Sequence, residues 1–180
     1  MSTERGGRKL QSGSTESRDT FTRPANTDAY AATDVISATT SDTATTPLRS
    51  LDLALYPGKA FWLVYLRLET NLDTFAGTAR VHFYTVAAPD TAVVGDNVAF
   101  VRAYANTEDY IGYVDLPAFT DVGDEMEAFR DDVRMLCQPA GDGSSETADS
   151  KIYYRIALTA GTPTPSSGQS FTIEARAVDA

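Results

Sequence analysis

Residues 151–176 read K-I-Y-Y-R-I-A-L-T-A-G-T-P-T-P-S-S-G-Q-S-F-T-I-E-A-R, two alternating runs separated by a proline- and glycine-rich loop. In the first run Ile152, Tyr154, Ile156 and Leu158 share one side, with Arg155 and Thr159 opposite. In the second, Phe171, Ile173, Ala175 and Ala177 share one side, with Thr172, Glu174 and Arg176 opposite. A two-residue period of this kind is that of a half-buried strand, because successive side chains of a strand point to opposite faces. The pair reads as a hairpin. Its connection, Gly161 to Gly168, holds two prolines that cannot donate to a ladder, so a long exposed loop is expected rather than a tight turn.

The same period recurs towards the N-terminus. From Ala60 to Glu69, Trp62, Val64, Leu66 and Leu68 fall on one side and Arg67 and Glu69 on the other. Ala79 to Val86, Val98 to Tyr104 and Tyr110 to Leu116 are short, rich in Val, Tyr, Phe and Ile, and bounded by turn residues such as Pro89-Asp90, Gly95-Asp96-Asn97 and Pro117. Weaker strands are expected around Ala29 to Ile36 and Ser50 to Leu55, and the threonine-rich Thr33 to Thr46 favours extended backbone with little to bury. Regular strands with turn signals predict an all-β jelly roll or β-sandwich of about eight short antiparallel strands.

Asp124 to Cys137 carries two patterns. Met126, Phe129, Val133 and Leu136 recur at helical spacing, Asp124 with Glu127 can form a capping box, and Pro139 follows, which permits one short helix near 124–132. Val133, Met135 and Cys137 also alternate with Arg134 and Gln138, so the second half reads equally as a strand.

After Met1, residues 2–20 contain one large apolar residue, Leu10, among Ser, Gly, Thr and charges. That is too little apolar surface to offset the entropy of ordering a backbone, and a flexible N-terminal arm over 1–20 followed by a single domain over 21–180 is expected. The arm carries Arg5, Arg8, Lys9 and Arg18 against Glu4, Glu16 and Asp19, a net of +1; with −10 for the whole chain, the body is −11. So acidic a body repels phosphate backbones, which argues against direct nucleic-acid binding. Its longest apolar run, Ala60 to Leu66, is far short of the roughly 20 residues that a membrane helix takes. The one cysteine, Cys137, excludes an internal disulfide, and with no secretory signal pattern the chain reads as made in a reducing cytosol.

Chemistry-bearing motifs are sparse. Acid–base and nucleophilic catalysis most often employ a histidine, and the only one, His82, lies on the polar side of A-R-V-H-F-Y-T-V with no G-x-S-x-G elbow in the chain. Cys137 reads as a small buried hydrophobe. One His and one Cys cannot build a zinc cage, and the acids do not follow EF-hand spacing, though the loop from Gly141 to Asp149 contains oxygen donors. A glycosidase would need two carboxylates about 5 to 10 Å apart, a separation fixed only in three dimensions. No catalytic residue, metal or cofactor is assigned. Among eighteen aromatic residues, Tyr110, Tyr113 and Tyr153 are candidates for a stacking platform or a subunit interface.

Four pieces in order, F-T-R-P-A-N-T-D-A-Y-A-A-T-D-V-I from Phe21, A-R-V-H-F-Y-T-V-A-A-P-D-T-A-V-V-G-D-N-V-A-F from Ala79, Y-I-G-Y-V-D-L-P from Tyr110 and the 151–176 stretch, resemble tailed-bacteriophage capsid decoration (cement) proteins. The resemblance covers about Phe21 to Ala177 and implies a jelly-roll body, no catalytic residues, and a structural role on the outer capsid surface of the virion. Its implied partners are the major capsid protein and further copies of the chain as a homotrimer. Family-like sequences often carry glycine in the turn near Thr33, where this chain has A-A-T-D. The tail before Phe21 lies outside the resemblance; as a flexible arm that orders on a partner, its Arg5, Arg8, Lys9, Leu10 and Arg18 are candidates for capsid binding. The alternative on the same fold is a receptor- or carbohydrate-binding module of a head or tail fibre.

Overall fold

The computed structural model describes residues 7–11, 13–39, 48–87, 95–101, 108–140 and 149–180, with side chains from residue 13 onward. In chain order the strands are β1 (Gly7–Gln11), β2 (Ser14–Thr22), β3 (Val35–Ile36), β4 (Arg49–Asp52), β5 (Phe61–Thr70), β6 (Thr78–Tyr84), β7 (Tyr110–Ala118), β8 (Thr120–Asp121), β9 (Met126–Arg130), β10 (Met135–Cys137), β11 (Lys151–Ala160) and β12 (Ser170–Asp179). They form two antiparallel sheets of a β-sandwich. The seven-stranded sheet has the order β1-β2-β12-β5-β9-β8 with β10 also on β5, and the five-stranded sheet has the order β3-β11-β6-β7 with β4 also on β11.

The pairing is that of a long hairpin rolled up. β2 pairs with β12, β3 and β4 with β11, β5 with β9 and β10, and β6 with β7; the contacts of β12 with β5 and of β11 with β6 then close the sheets. This is jelly-roll topology. Among the described residues the roll has eight strand positions, two of them each divided between a pair of short strands, and β1 and β8 extend the two edges of the seven-stranded sheet. The inward faces supply one continuous core, including Leu63, Leu66, Leu68, Phe171 and Ile173 from one sheet and Val81, Phe83, Ile152, Ile156 and Leu158 from the other. Each such side chain contributes roughly 1.5–3 kcal/mol on burial. Phe75 joins the layers, meeting Phe119 and Phe171 edge-on at centroid distances of 5.2 and 5.3 Å.

Several expectations are corrected. β11 and β12 do not form a hairpin; they lie in different sheets, and the 161–168 connection crosses between them. Nor is that connection wholly exposed, because Pro163 and Pro165 are buried and the Pro163 carbonyl accepts from the Tyr30 amide at 3.0 Å. On β5, Leu66 pairs with Ala175 and Tyr65 with Arg176, but Ala177 pairs with Leu63, leaving Val64 as the extra residue of a bulge. The bulge reverses the alternation, so Phe61 and Leu63 point inward and Trp62 outward.

There is no helix near 124–132. Met126 and Ala128 enter the core at strand spacing from β9 while Phe129 and Leu136 are about half exposed, so only part of the helical pattern is an inward face. Pairing with β5 from Thr70–Met126 to Leu66–Arg130 decides the conformation. The strand reading of the second half holds, with Val133 and Cys137 buried and Leu136 outward.

The expected arm over 1–20 is likewise shortened. β2 starts at Ser14 and runs beside β12 through nine consecutive pairs, from Ser14–Val178 to Thr22–Ser170. Phe21, near the end of β2, stacks on Phe171 in the core, and polar bonds hold the stretch before it. Thr15 donates to the Leu53 carbonyl, the Asp52 amide donates to Ser17 Oγ at 3.0 Å, and Asp19 accepts from Arg49 Nε at 2.6 Å and from the Tyr154 hydroxyl at 2.7 Å. Burial, then the Asp19 charge, pushes the Tyr154 phenol well above its ordinary range.

Of the segment from Val98 to Tyr104, 98–101 forms only an isolated bridge between Ala99 and Asp34, and 102–104 lies outside the described residues. Residues 40–46 of the Thr33 to Thr46 stretch and 141–148 of the Gly141 to Asp149 loop lie outside them too.

Candidate functional site

The outer face of the five-stranded sheet is built in rows by register. One row is Tyr153–Tyr84–Tyr110, the next Arg155–His82–Tyr113, and the third Ala157–Arg80–Asp115. The three aromatics singled out from sequence are thereby neighbours. Their exposure differs: Tyr113 is 50% exposed, Tyr110 and Tyr153 are half-buried, and Tyr84 between them is buried. Tyr153 donates its hydroxyl to Asp149 at 2.7 Å, and burial together with that carboxylate pushes its phenol up to about 12. Tyr113 carries the Arg80 guanidinium at 3.9 Å over its ring, and Arg80 is held in a fork by both Asp115 oxygens at 2.6 and 2.9 Å. Beside it, a depression of about 370 Å³ opens between Tyr113 and the 130–135 segment. One exposed ring stacked on a pre-positioned cation can hold a flat or polar ligand edge.

His82 is enclosed. It is 6% exposed, its Nδ1 lies 3.0 Å from the Tyr110 hydroxyl, and Phe100 covers its ring at a centroid distance of 4.2 Å. Cys137 is fully buried, which pushes its thiol up to about 12, the opposite of an activated nucleophile. Among the described residues no three His, Cys, Asp or Glu side chains are grouped to hold a metal ion.

The outer face of the seven-stranded sheet differs in kind. Leu136, Trp62 and Val178 stand in one row across β10, β5 and β12, exposed by 50, 40 and 37%. Phe129, 46% exposed, stacks on Tyr65 at 6.5 Å, and Arg176 lies 4.6 Å over the other ring of that pair. A charge ladder adjoins this apolar surface: Arg67 reaches Glu174 at 2.7 Å and Glu69 at 3.0 Å, Arg176 reaches Glu174 at 3.0 Å and Glu16 at 3.2 Å, and Arg18 reaches Glu69 at 2.9 Å. Contiguous exposed apolar surface rimmed by charge is the composition of a protein-docking face. The bulge at Val64 creates it by turning Trp62 outward, and a strict alternation along β5 hides this from a reading of the sequence.

The arm candidates are dispersed. Arg5 lies outside the described residues. Arg8 and Lys9 sit in β1 opposite Glu16 and Thr15, Leu10 lies at the irregularity between Lys9 and Gln11, and Arg18 is an outward residue of β2 tied to Glu69. No protein-family model and no curated protein matches the chain.

Proposed function

We propose that the protein is a structural virion component that decorates and stabilises a tailed-bacteriophage capsid by binding the outer surface of major capsid protein subunits. The supporting observation is the uncovered Leu136–Trp62–Val178 row on a rigid sheet. A decoration protein repeats one modest contact over many identical sites, so a single preformed aromatic anchor per copy is adequate. An acidic body keeps such a protein soluble before assembly. In this reading the chain is made in the host cytoplasm, associates as a homotrimer and docks on the outside of the head. Trp62→Ser should lower occupancy on isolated heads roughly 30-fold or more at subsaturating protein, by quantitative co-sedimentation. Unchanged occupancy would remove this face from the proposal.

A second reading, a receptor- or carbohydrate-binding fibre module, draws on the exposed Tyr113 ring and its Arg80 partner. Saturable binding on a glycan array that is lost in Tyr113→Ala would favour it over capsid decoration.

A further inference from the structure

Arg155 is 6% exposed, and its guanidinium carbon lies 5.6 Å from the centre of the Phe100 ring. Its buried Nη2 has no hydrogen-bond partner, and among the described residues no carboxylate forms an ion pair with it. Two acids near these rows are already engaged, Asp115 by Arg80 and Asp149 by Tyr153. Removing an arginine from water without a counter-charge is costly, and arginine does not escape that cost by losing its proton. A guanidinium offers a planar fork that matches a carboxylate in two parallel bonds, and such charge-assisted pairs are among the stronger hydrogen bonds. The row places His82 on one side of Arg155, and Phe100 lies over both.

We propose that Arg155 is the anchor of a binding site for a small carboxylate on the outer face of the five-stranded sheet, walled by Phe100 and His82. The anion supplies the counter-charge that no described residue gives. This site is independent of the apolar face on the other sheet.

The test is thermal unfolding of the full chain in sodium acetate against sodium chloride at equal ionic strength, for the native protein, Arg155→Met and Arg155→Lys. The native protein should gain roughly 5–10 °C in Tm at a hundredfold excess of acetate over its Kd, with saturation. Arg155→Met should show no acetate-specific gain, yet its Tm in chloride should equal or exceed the native value because an uncompensated buried charge has gone. Arg155→Lys keeps the charge without the fork, and should need at least tenfold more acetate. Amide NMR shifts of the native protein on acetate addition should centre on residues 82, 100 and 154–156, a readout that needs no variant. An equal acetate gain in all three proteins, no gain in the native protein, or shifts spread over the surface would overturn the site.

Discussion

Arg23 and Arg155 are both buried arginines, 2 and 6% exposed, and their surroundings are opposite. Arg23 directs Nε to the Tyr30 hydroxyl at 2.8 Å, Nη1 to the Asn26 carbonyl at 2.6 Å, and Nη2 to Asn26 Oδ1 and Asp96 Oδ2, both at 2.6 Å. Tyr30 in turn donates to Asp96 Oδ1 at 2.7 Å, and the Ser37 amide donates to the same oxygen at 3.0 Å. Arg155 has a ring beside it and, among the described residues, no acceptor for its buried Nη2. A charge can be placed inside a fold as a finished network that fixes structure, or as an open valence that awaits something else. Both arginines depend on one segment, 95–101, which gives Asp96 to the first and Phe100 to the second.

The comparison breaks most visibly at Asp96. Asp96→Ala leaves Arg23 buried without its counter-charge and should cost about 3–5 kcal/mol in urea unfolding. A cost near zero would mean that the Arg23 network is no more finished than that of Arg155. Tyr30→Phe removes the hydroxyl that both accepts from Arg23 and donates to Asp96, and should cost about 1–3 kcal/mol by the same measurement.

The smallest effect concerns the backbone that joins the two regions. Thr33 holds φ at +81°, a left-handed conformation unfavourable for a β-branched residue, and its carbonyl accepts from the Phe100 amide at 2.7 Å. Thr33→Gly should therefore stabilise the fold by about 1 kcal/mol while leaving Phe100 over Arg155. A loss of stability would show that the turn is not strained at Thr33.

Where side chains alternate without interruption, sequence reading reached the structure. β11 and β12 carry Ile152, Tyr154, Ile156 and Leu158, and Phe171, Ile173, Ala175 and Ala177, inward as their period requires. It missed what depends on partners distant in the chain. Residues 14–20 of β2 are polar and are held by bonds to Leu53, Asp52, Arg49 and Tyr154, which a count of apolar residues does not weigh. The bulge at Val64 is a register event between β5 and β12, and the missing helix reflects pairing of β9 with β5 over a local helical spacing. The site divides similarly. Tyr110, Tyr113 and Tyr153 were recognisable as strand aromatics, whereas Arg155 looks like any outward charge until Phe100, 55 positions earlier, is seen over it. Arg23 gives no local sign of burial, since its counter-charge lies 73 residues away.

The most direct test of the proposed role is the position and copy number of the chain in an intact phage particle, by cryo-electron microscopy reconstruction. Capsid decoration predicts many symmetric copies on the outside of the head, with the Trp62 face of each copy against the major capsid protein. A few copies at the tail, or the Trp62 face turned to solvent in every copy, would contradict it.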